Sequence, residues 1–379
     1  MKFSDVLDIR NGRNQRQVEN ANGKYPIYGS GGVMGRATDF ICDAGTVVIG
    51  RKGSINNPIF VDEPFWNVDT AFGLVAHRDV LLPKYLFYFC ANFDFERLNT
   101  TVTIPSLTKA NLLQIEINVP DMDEQRHVVS VLDKICRLTD LQQQELHNLD
   151  QLVKSRFIEL FGVYPLNPKG WETATIRDIV TDVRYGSSRP AVDGGKYPYL
   201  RMNNITYGGE LDLTDTKHID IPDNELDKCT VRRGDVLFNR TNSKELVGKT
   251  CVYNRDEMMV LAGFVIRVRV TERILPEFLS AFLNTDFSKQ MLLGMCKAAI
   301  GQANINAQEM QDIGIYLPPT ELQRQFVQFK EQTDKSKYYS AIIYRKSGEP
   351  YCQSEKRSIC IYKIFSRCSI WFPITYRIG

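Results

Sequence analysis

The stretch GTVVIGRKGS at residues 45–54 returns in pattern as GDVLFNRTNS at residues 234–243. Two further segments repeat in the same order. GKYP occurs at 23–26 and 195–198, and SLTKANLLQIEINVP at 106–120 matches NINAQEMQDIGIYLP at 304–318. A solenoid repeat has a period of only about 20–50 residues. Each copy here has the size of a domain, which predicts two similar domains that read two similar things at a fixed separation.

The offset between the two copies grows along the chain. It is 172 residues at Gly23, 189 at Gly45 and 198 at Ser106. Insertions therefore accumulate inside the second copy, as happens when loops diverge on a retained scaffold. The chain length of 379 residues agrees with two or more domains of roughly 100–200 residues each.

Composition is that of an ordinary globular chain with a formal net charge of +2. The first residues do not resemble a signal peptide, and no run of about 18 apolar residues predicts a membrane span. The nine cysteines contain no C-x-x-C pair, and no histidine lies near the evenly spaced Cys352, Cys360 and Cys368. We therefore expect reduced thiols, no metal site and a cytoplasmic protein.

Short apolar runs between glycines predict an α+β fold in both copies, with mixed sheets of short strands and a few helices. In the first domain, residues 1–121, we expect strands at 46–49, 72–75 and 115–120 and a helix that begins at Pro83. In the second domain, residues 162–319, we expect strands at 235–238, 263–270 and 313–318 and a helix at 276–283.

Residues 122–161 form a segment of different character that predicts one long helix. It contains no glycine or proline from 124 to 160, and its length corresponds to roughly 55 Å. Apolar residues follow a heptad rhythm, with Thr139, Gln142 and Arg156 at the other seam positions. The predicted packing residues are Val128, Leu132, Ile135, Leu146, Leu149, Val153 and Leu160. We expect this coiled-coil-forming helix to join the two domains and to pack against another helix.

A second long helix begins at residue 320, but its pattern continues only to about Lys337. Residues 338–379 lack heptads and form an atypical tail. One interpretation is a divergent strand-rich ending, and the one we favour is replacement of the second helix by a reading-frame change. In that case the first helix lacks its intramolecular partner, and we expect weaker docking of a partner subunit or self-association through the exposed long helix.

The motifs do not support an enzyme. The glycine-rich loop at 29–35 lacks the following helix and acidic residue of a dinucleotide site. No H-E-x-x-H, G-x-S-x-G or P-loop sequence is present, and the four histidines are isolated. We expect no catalytic residue in this chain.

Polar and cationic residues after buried strands favour nucleic-acid binding. Arg51 and Lys52 follow one strand, and Arg240 and Asn242 follow the matching strand of the second copy. Arginine can bind a phosphate or a guanine edge, and asparagine can pair with adenine. Arg201, Asn203 and Asn204 are further candidates, because they follow a strand of the second domain. Arg36 and Lys244 lie near the candidate segments in sequence and complete the set.

The order of these motifs, found twice, resembles the specificity subunit of a type I restriction-modification system. The resemblance reaches to about residue 337. It is carried by KYPIYGSGGVMG at 24–35, YPYLR at 197–201, GDVLFNRTNS at 234–243 with LVGK at 246–249, and the EQR and LQR entries to the two long helices.

The resemblance implies two target-recognition domains that each read half of a bipartite site in double-stranded DNA. It implies two antiparallel helices that space the halves by whole helical turns of about 34–36 Å and dock modification (methyltransferase) subunits. A restriction (translocase and nuclease) subunit completes such complexes. S-adenosylmethionine, ATP and Mg²⁺ belong to those partners, so no cofactor is expected in this chain.

Two other classes remain open at this point. The chain is then either a non-catalytic coiled-coil scaffold with inert loops, or a fragment of a fused enzyme. A specificity subunit left partly inactive by a frameshift is a further alternative within the family.

Overall fold

The computed structural model describes residues 1–99, 105–299 and 302–346, with side chains included except at 297–299, 302 and 341–346. The described residues form two compact units, which are treated separately below. One comprises residues 1–145 with 339–346, and the other comprises residues 146–338. Both boundaries between the units fall inside the long helices.

The first unit contains two small sheets and flanking helices. Its antiparallel four-stranded sheet has the order β1-β7-β4-β5, and its three-stranded sheet has the order β3-β2-β6 with β2 parallel to β6. The elements are α1 (Phe3–Val6), β1 (Leu7–Asn11), β2 (Tyr25–Gly29), β3 (Gly32–Ala37), β4 (Thr46–Gly50), β5 (Ile59–Val61), β6 (Trp66–Asn67), β7 (Ala71–Ala76), α2 (Pro83–Asn92), α3 (Lys109–Leu113) and the first part of α4 (Met122–Phe161).

The second unit contains the later elements, whose strands form several small sheets. The elements are β8 (Glu172–Thr175), β9 (Val180–Tyr185), β10 (Tyr197–Leu200), β11 (Lys217–Ile219), α5 (Asp223–Cys229), β12 (Thr230–Val231), β13 (Val236–Asn239), β14 (Thr241–Asn242), β15 (Thr250–Val252), β16 (Met259–Leu261), β17 (Val265–Val270), α6 (Pro276–Leu283), α7 (Asp286–Met295), β18 (Lys297–Ala299), β19 (Gln302–Asn304), α8 (Ala307–Gln311), β20 (Gly314–Leu317) and most of α9 (Thr320–Lys346).

The two units share one topology. The sheet β9-β17-β13-β15 repeats β1-β7-β4-β5, and the parallel pair β10 and β16 repeats β2 and β6. Every residue of the central strands β4 and β13 is buried, because α2 lies against β4 and α6 lies against β13. The sequence repeat is therefore a structural repeat, and its two copies present the same strand ends.

The geometry explains why GKYP occurs twice. A Cβ on Gly23 would lie 2.4 Å from the carbonyl oxygen of Ala37, and one on Gly195 would lie 2.8 Å from the backbone of Ile219. Only glycine permits this close approach. The lysine covers the next tyrosine ring in both copies, at 5.4 Å for Lys24 and 4.9 Å for Lys196.

Arg267 does not follow the alternation that its strand predicts. The sequence of β17 alternates Val or Ile with Arg, which is typical of a strand with one polar face, yet Arg267 is 1% exposed. Its Nη2 lies 2.7 Å from Asp182, and Nη1 donates to the carbonyl of Thr230. A buried guanidinium is tolerated here because a carboxylate and a carbonyl bind its two terminal nitrogens, while Nε has no partner among the described residues.

The expected strand at 115–120 is not formed in the first unit. A single bridge joins Lys2 to Glu116, whereas the matching segment β20 pairs with β8 over four residues. The backbone groups of Ile115 and Ile117 instead bond to Phe3 and Met1.

The last helix, α9, continues beyond Lys337 to Lys346, so the end proposed from the heptad pattern is too early. Residues 347–379 of the atypical tail lie outside the described residues. In this part of the helix, Tyr338 and Tyr339 are 65% and 63% exposed.

The expectation that α4 lacks an intramolecular partner is wrong over its second half. In the second unit the Phe326 ring lies 5.2 Å from that of Phe157, and Lys337 pairs with Asp150 at 2.5 Å. In the first unit Gln142 donates to the carbonyl of Ser340. The residue order shows that α9 runs antiparallel to α4, which removes much of the reason to expect self-association there.

The predicted seam residues of α4 are all half-buried, but they have different neighbours. Val128 packs against the core of the first unit, and Val153 and Leu160 pack against the core of the second unit. Seam burial thus comes partly from the domains and not only from a second helix. Among the described residues, no helix combines the length and apolar character needed to cross a bilayer.

Candidate nucleic-acid interface

Arg51 and Arg240 occupy the same backbone position in the two units. Each is the residue after the fully buried central strand. The amide of Arg51 donates to Thr70 O at 2.8 Å and its carbonyl accepts from Leu107 N at 2.9 Å. The corresponding bonds of Arg240 join Phe264 O at 3.0 Å and Ile305 N at 2.9 Å. The main chain of both residues is therefore held in the same way, and the two side chains extend from equivalent edges of the two units.

The Arg240 side chain stands over an aromatic ring and retains hydrogen-bonding capacity. Its guanidinium carbon lies 4.8 Å from the centre of the Tyr185 ring, a cation–π arrangement. Nη1 reaches only the carbonyl of Gly263, at a long 3.5 Å, and Nε is buried without a hydrogen-bond partner within the described structure. A guanidinium has five N–H donors, so most of them can serve an incoming acceptor.

The first unit offers a similar cation. Arg51 is exposed and its guanidinium lies 5.7 Å from the Phe72 ring centre. Lys52 is also exposed, and its backbone forms a bridge with Ser106. No ion pair to Arg51, Lys52 or Arg240 occurs between the described residues, which distinguishes them from most arginines of the second unit.

Asn242 and Lys244 extend the cationic edge of the second unit. Asn242 is half-buried in β14, which pairs with β19, and its side-chain oxygen accepts from the amide of Ser243 at 2.8 Å. Its side-chain nitrogen makes no hydrogen bond to the other described residues, and Lys244 is exposed. Glu245 lies in the same turn, where hydrogen bonds from its own amide and from Ser243 lower its pKa.

Arg201 and Asn204 differ from Arg240, because each bonds within the loop it belongs to, although Arg201 Nε is likewise buried without a hydrogen-bond partner in the described structure. Arg201 Nη2 pairs with Asp215 at 2.7 Å. Asn204 is 2% exposed; its side-chain oxygen accepts from the Arg201 amide, and its nitrogen donates to the carbonyls of Asp212 and Asp215. These two residues shape the loop between β10 and β11, and of this group only Asn203 is exposed.

The tip of that loop lies against lysines on helical elements. Lys289 of α7 lies 5.1 Å from the Tyr207 ring centre, and Lys337 of α9 lies 3.6 Å from Glu210. Burial, with Lys249 and Lys154 nearby, lowers the pKa of Lys289 to about 8. The loop is thus fastened to helices, and Arg240 and its neighbours remain the better-placed interface of this unit.

Arg36 is likewise engaged within its own unit. Its Nε donates to Gly23 O at 2.7 Å and its Nη2 to Lys24 O at 2.8 Å. The side chain therefore holds the GKYP turn against β3. DNA contact by Arg36, as by the other predicted residues, stays a prediction.

Two aromatic residues beside Arg240 were not identified from the sequence. Phe264 is 50% exposed and Tyr185 is 43% exposed. Tyr185 is the last residue of β9 and Phe264 immediately precedes β17; both strands look like ordinary core sequence, so no spacing singles out either residue. The described residues contain no group of three or more His, Cys, Asp or Glu that could hold a metal ion.

Comparison with known proteins agrees with this architecture. The chain matches the family model described as "Type I restriction modification DNA specificity domain" over residues 1–151 and 168–339. It is 24% identical over 309 residues to the type I restriction enzyme EcoKI specificity subunit of Escherichia coli K12, a match covering 75% of this chain and 65% of that protein. It is 28% identical over 171 residues to the putative type I restriction enzyme MjaX specificity subunit of Methanocaldococcus jannaschii, covering 44% and 40%.

The chain thus spans less than two thirds of the length of either relative. The fold is that of a solved protein, the type I restriction-modification S subunit from M. genitalium. The TM-score is 0.56 at 16% identity, and the match covers 91% of this chain and 93% of that one. Two matched segments of the family model, one for each structural repeat, show that this chain belongs to the family of type I restriction-modification DNA specificity domains.

Proposed function

We propose that this chain is the DNA-reading subunit of a type I restriction-modification complex and that each unit reads one half of a bipartite target. The observation that carries the proposal is the equivalence of Arg51 and Arg240. Both follow a buried central strand and both are held by the same two main-chain hydrogen bonds. Two cations presented identically by two copies of one fold are what the reading of two half-sites requires.

The side chains at this edge of the second unit suit contacts with bases as well as with phosphates. The guanidinium of Arg240 can bond a guanine edge in bidentate fashion, and the free amide nitrogen of Asn242 can donate to an acceptor on a base. The ammonium groups of Lys52 and Lys244 are compact point charges that suit phosphates. Contacts to phosphates give affinity without sequence information.

We also propose that α4 and α9 form the docking surface for the methyltransferase subunits. Several apolar side chains of α4 remain largely exposed although the helix is paired, and they supply area for a protein partner. In the first unit these are Val131, Leu138 and Leu141. S-adenosylmethionine, ATP and Mg²⁺ would act on the partner subunits, and the chain would be non-catalytic by itself, a division that the relatives' designation as specificity subunits supports.

The decisive experiment maps methylated adenines in a host genome with and without this gene, expressed with its modification and restriction partners. We expect a bipartite motif that disappears when the gene is deleted. R240A should relax or abolish one half of the motif, and R51A the other half. R233A is the matched control, because Arg233 is an exposed arginine of the second unit already paired with Asp256 at 2.7 Å.

An unchanged methylation pattern after deletion would contradict the proposal. A scaffold with inert loops predicts that outcome together with a shallow salt dependence of DNA binding. A DNA reader loses affinity steeply with salt, because each phosphate contact releases counterions.

A further inference from the structure

The turn before β17 presents an aromatic side chain on fixed backbone. Gly263 donates its amide to Ser187 O at 2.7 Å, Val265 donates to Ala262 O at 2.9 Å, and the carbonyl of Phe264 accepts from Arg240. These bonds hold the main chain on both sides of Phe264. The half-exposed ring is therefore displayed by a rigid turn rather than by a loose loop.

The surroundings of Phe264 differ from those of a scattered surface apolar residue, which needs no explanation. Its carbonyl accepts a hydrogen bond from the amide of Arg240, the candidate DNA-binding arginine of this unit. The ring and the hydroxyl of Tyr185 already have partners within the unit. The hydroxyl accepts from Ala307 N at 2.9 Å, and Arg240 covers the ring. Phe264, which is 50% exposed, leaves more apolar surface for a ligand than Leu246, which follows Lys244 and is 39% exposed.

The ligand chemistry follows from the mixture of groups. Arg240 supplies donors, Asn242 an amide, Lys244 a positive charge and Phe264 an apolar surface. The major groove of DNA offers the complement, namely acceptors on guanine, phosphates on either side and the methyl group of thymine. Neither Arg240 nor Lys244 forms an ion pair with a carboxylate among the described residues, although Glu245 lies in the same turn as Lys244, so both charges can serve the acceptors and phosphates of DNA.

We infer that Phe264 is a specificity-determining residue that makes an apolar contact with a thymine methyl group in the half-site read by the second unit. The inference rests on the proposed function and adds a base preference to it. The equivalent position of the first unit is Thr70, whose carbonyl bonds the amide of Arg51 in the same way. The contact therefore belongs to one half-site only.

The first test maps methylated adenines for F264A in the complete complex. The motif should become degenerate at one position, in the half that R240A affects, and that position should be thymine in the wild-type motif. Y207A is the matched control, because Tyr207 is a 55% exposed aromatic of the same unit that stacks with Lys289. F264L retains an apolar surface and should retain the preference.

The second test uses a duplex of the mapped target in a binding assay. Replacing that thymine by deoxyuridine removes only the methyl group and should weaken wild-type binding about fourfold, the value of one buried methyl-sized group. The same replacement should change nothing for F264A. Circular dichroism of F264A should match that of the wild type, since the ring is not part of the core.

The outcomes separate the two claims. A wild-type complex without a bipartite motif overturns the proposed function. A wild-type motif that stays unchanged in F264A, a relaxed position that is not thymine, or an equal loss for F264A on the deoxyuridine duplex overturns the inference about Phe264 and leaves the proposed function standing.

Discussion

Gln125 and Gln323 make the same three hydrogen bonds at the start of the two long helices. The side-chain oxygen of Gln125 accepts from Leu82 N at 2.9 Å and its nitrogen donates to Val80 O and Pro120 O. Gln323 accepts from Leu275 N at 2.8 Å and donates to the carbonyls of Arg273 and Pro318. Both side chains are fully buried, so each joins the first turn of a long helix to the residue that caps α2 or α6.

We expect Q125A and Q323A each to lower the free energy of unfolding by about 2–3 kcal/mol, because three buried backbone groups lose their partner. Urea unfolding followed by circular dichroism measures the change. Q144A is the control, since Gln144 is exposed on the same helix as Gln125. Equal midpoints for Q125A and Q144A would show that the buried amide contributes nothing.

Asn204 should act on stability rather than on recognition. Its side chain bonds the main chain of Arg201, Asp212 and Asp215. N204A should therefore cost about 2 kcal/mol while the bipartite motif of the surviving folded protein stays the same. N203A, at the exposed neighbouring position, should leave stability unchanged. A methylation motif that changes in N204A and not in R240A would contradict the structural role of Asn204 and the recognition role of Arg240.

Breaking the buried ion pair should be costly. D182N leaves the guanidinium of Arg267 without its carboxylate, and we expect a loss of about 3 kcal/mol. D256N removes the partner of Arg233 at the surface and should have no measurable effect. Comparison of the two urea midpoints checks the difference, and similar midpoints would mean that water reaches Arg267.

The same aspartate predicts a pH dependence. Burial raises the pKa of Asp182, but hydrogen bonds and charge from Arg267 and Arg184 outweigh it, and the pKa lies below its ordinary value of 3.8. The stabilisation is fully present above pH 3.8 and is lost as the pH falls through the lower folded value. Wild-type stability measured from about pH 6 down to about pH 2.5 should therefore converge toward that of D182N at the acid end; a constant gap contradicts the assignment.

Lys337 should stabilise the helix pair mainly through Asp150. The distances are 2.5 Å to Asp150 and 3.6 Å to Glu210, and the lysine side chain is only 17% exposed. D150N should cost about 1 kcal/mol, the upper end for a partly exposed pair, and E210Q should cost less. Double-mutant cycles with K337M measure the coupling energy of each pair. A coupling energy that is larger for Glu210 than for Asp150 would contradict the prediction.

The repeated elements were predictable because their signals are local. Residues 46–49 and 236–238 contain short apolar runs shortly after a glycine, and Pro83 and Pro276 mark first helical turns. Such patterns need no knowledge of distant residues. The relation between the two units was equally readable, since the order of motifs is preserved.

Properties that depend on distant partners were not predictable. The burial of Arg267 depends on Asp182, which lies 85 residues earlier, and the engagement of Arg201 depends on Asp215 within an irregular loop. The length of α9 was underestimated because helical hydrogen bonds can continue where the apolar pattern stops. Phe264 went unnoticed because exposure at a strand end leaves no periodic signal.

The main-chain hydrogen bonds of Arg51 and Arg240 have an evolutionary consequence. The amide and the carbonyl of each residue are used, and the side chain of Arg240 adds only one long bond of 3.5 Å to the carbonyl of Gly263. The two main-chain hydrogen bonds do not depend on the side chain, whereas proline would remove the amide donor. On the proposed function, a single codon change at either position would alter the DNA sequence that one unit reads and leave the helices unchanged.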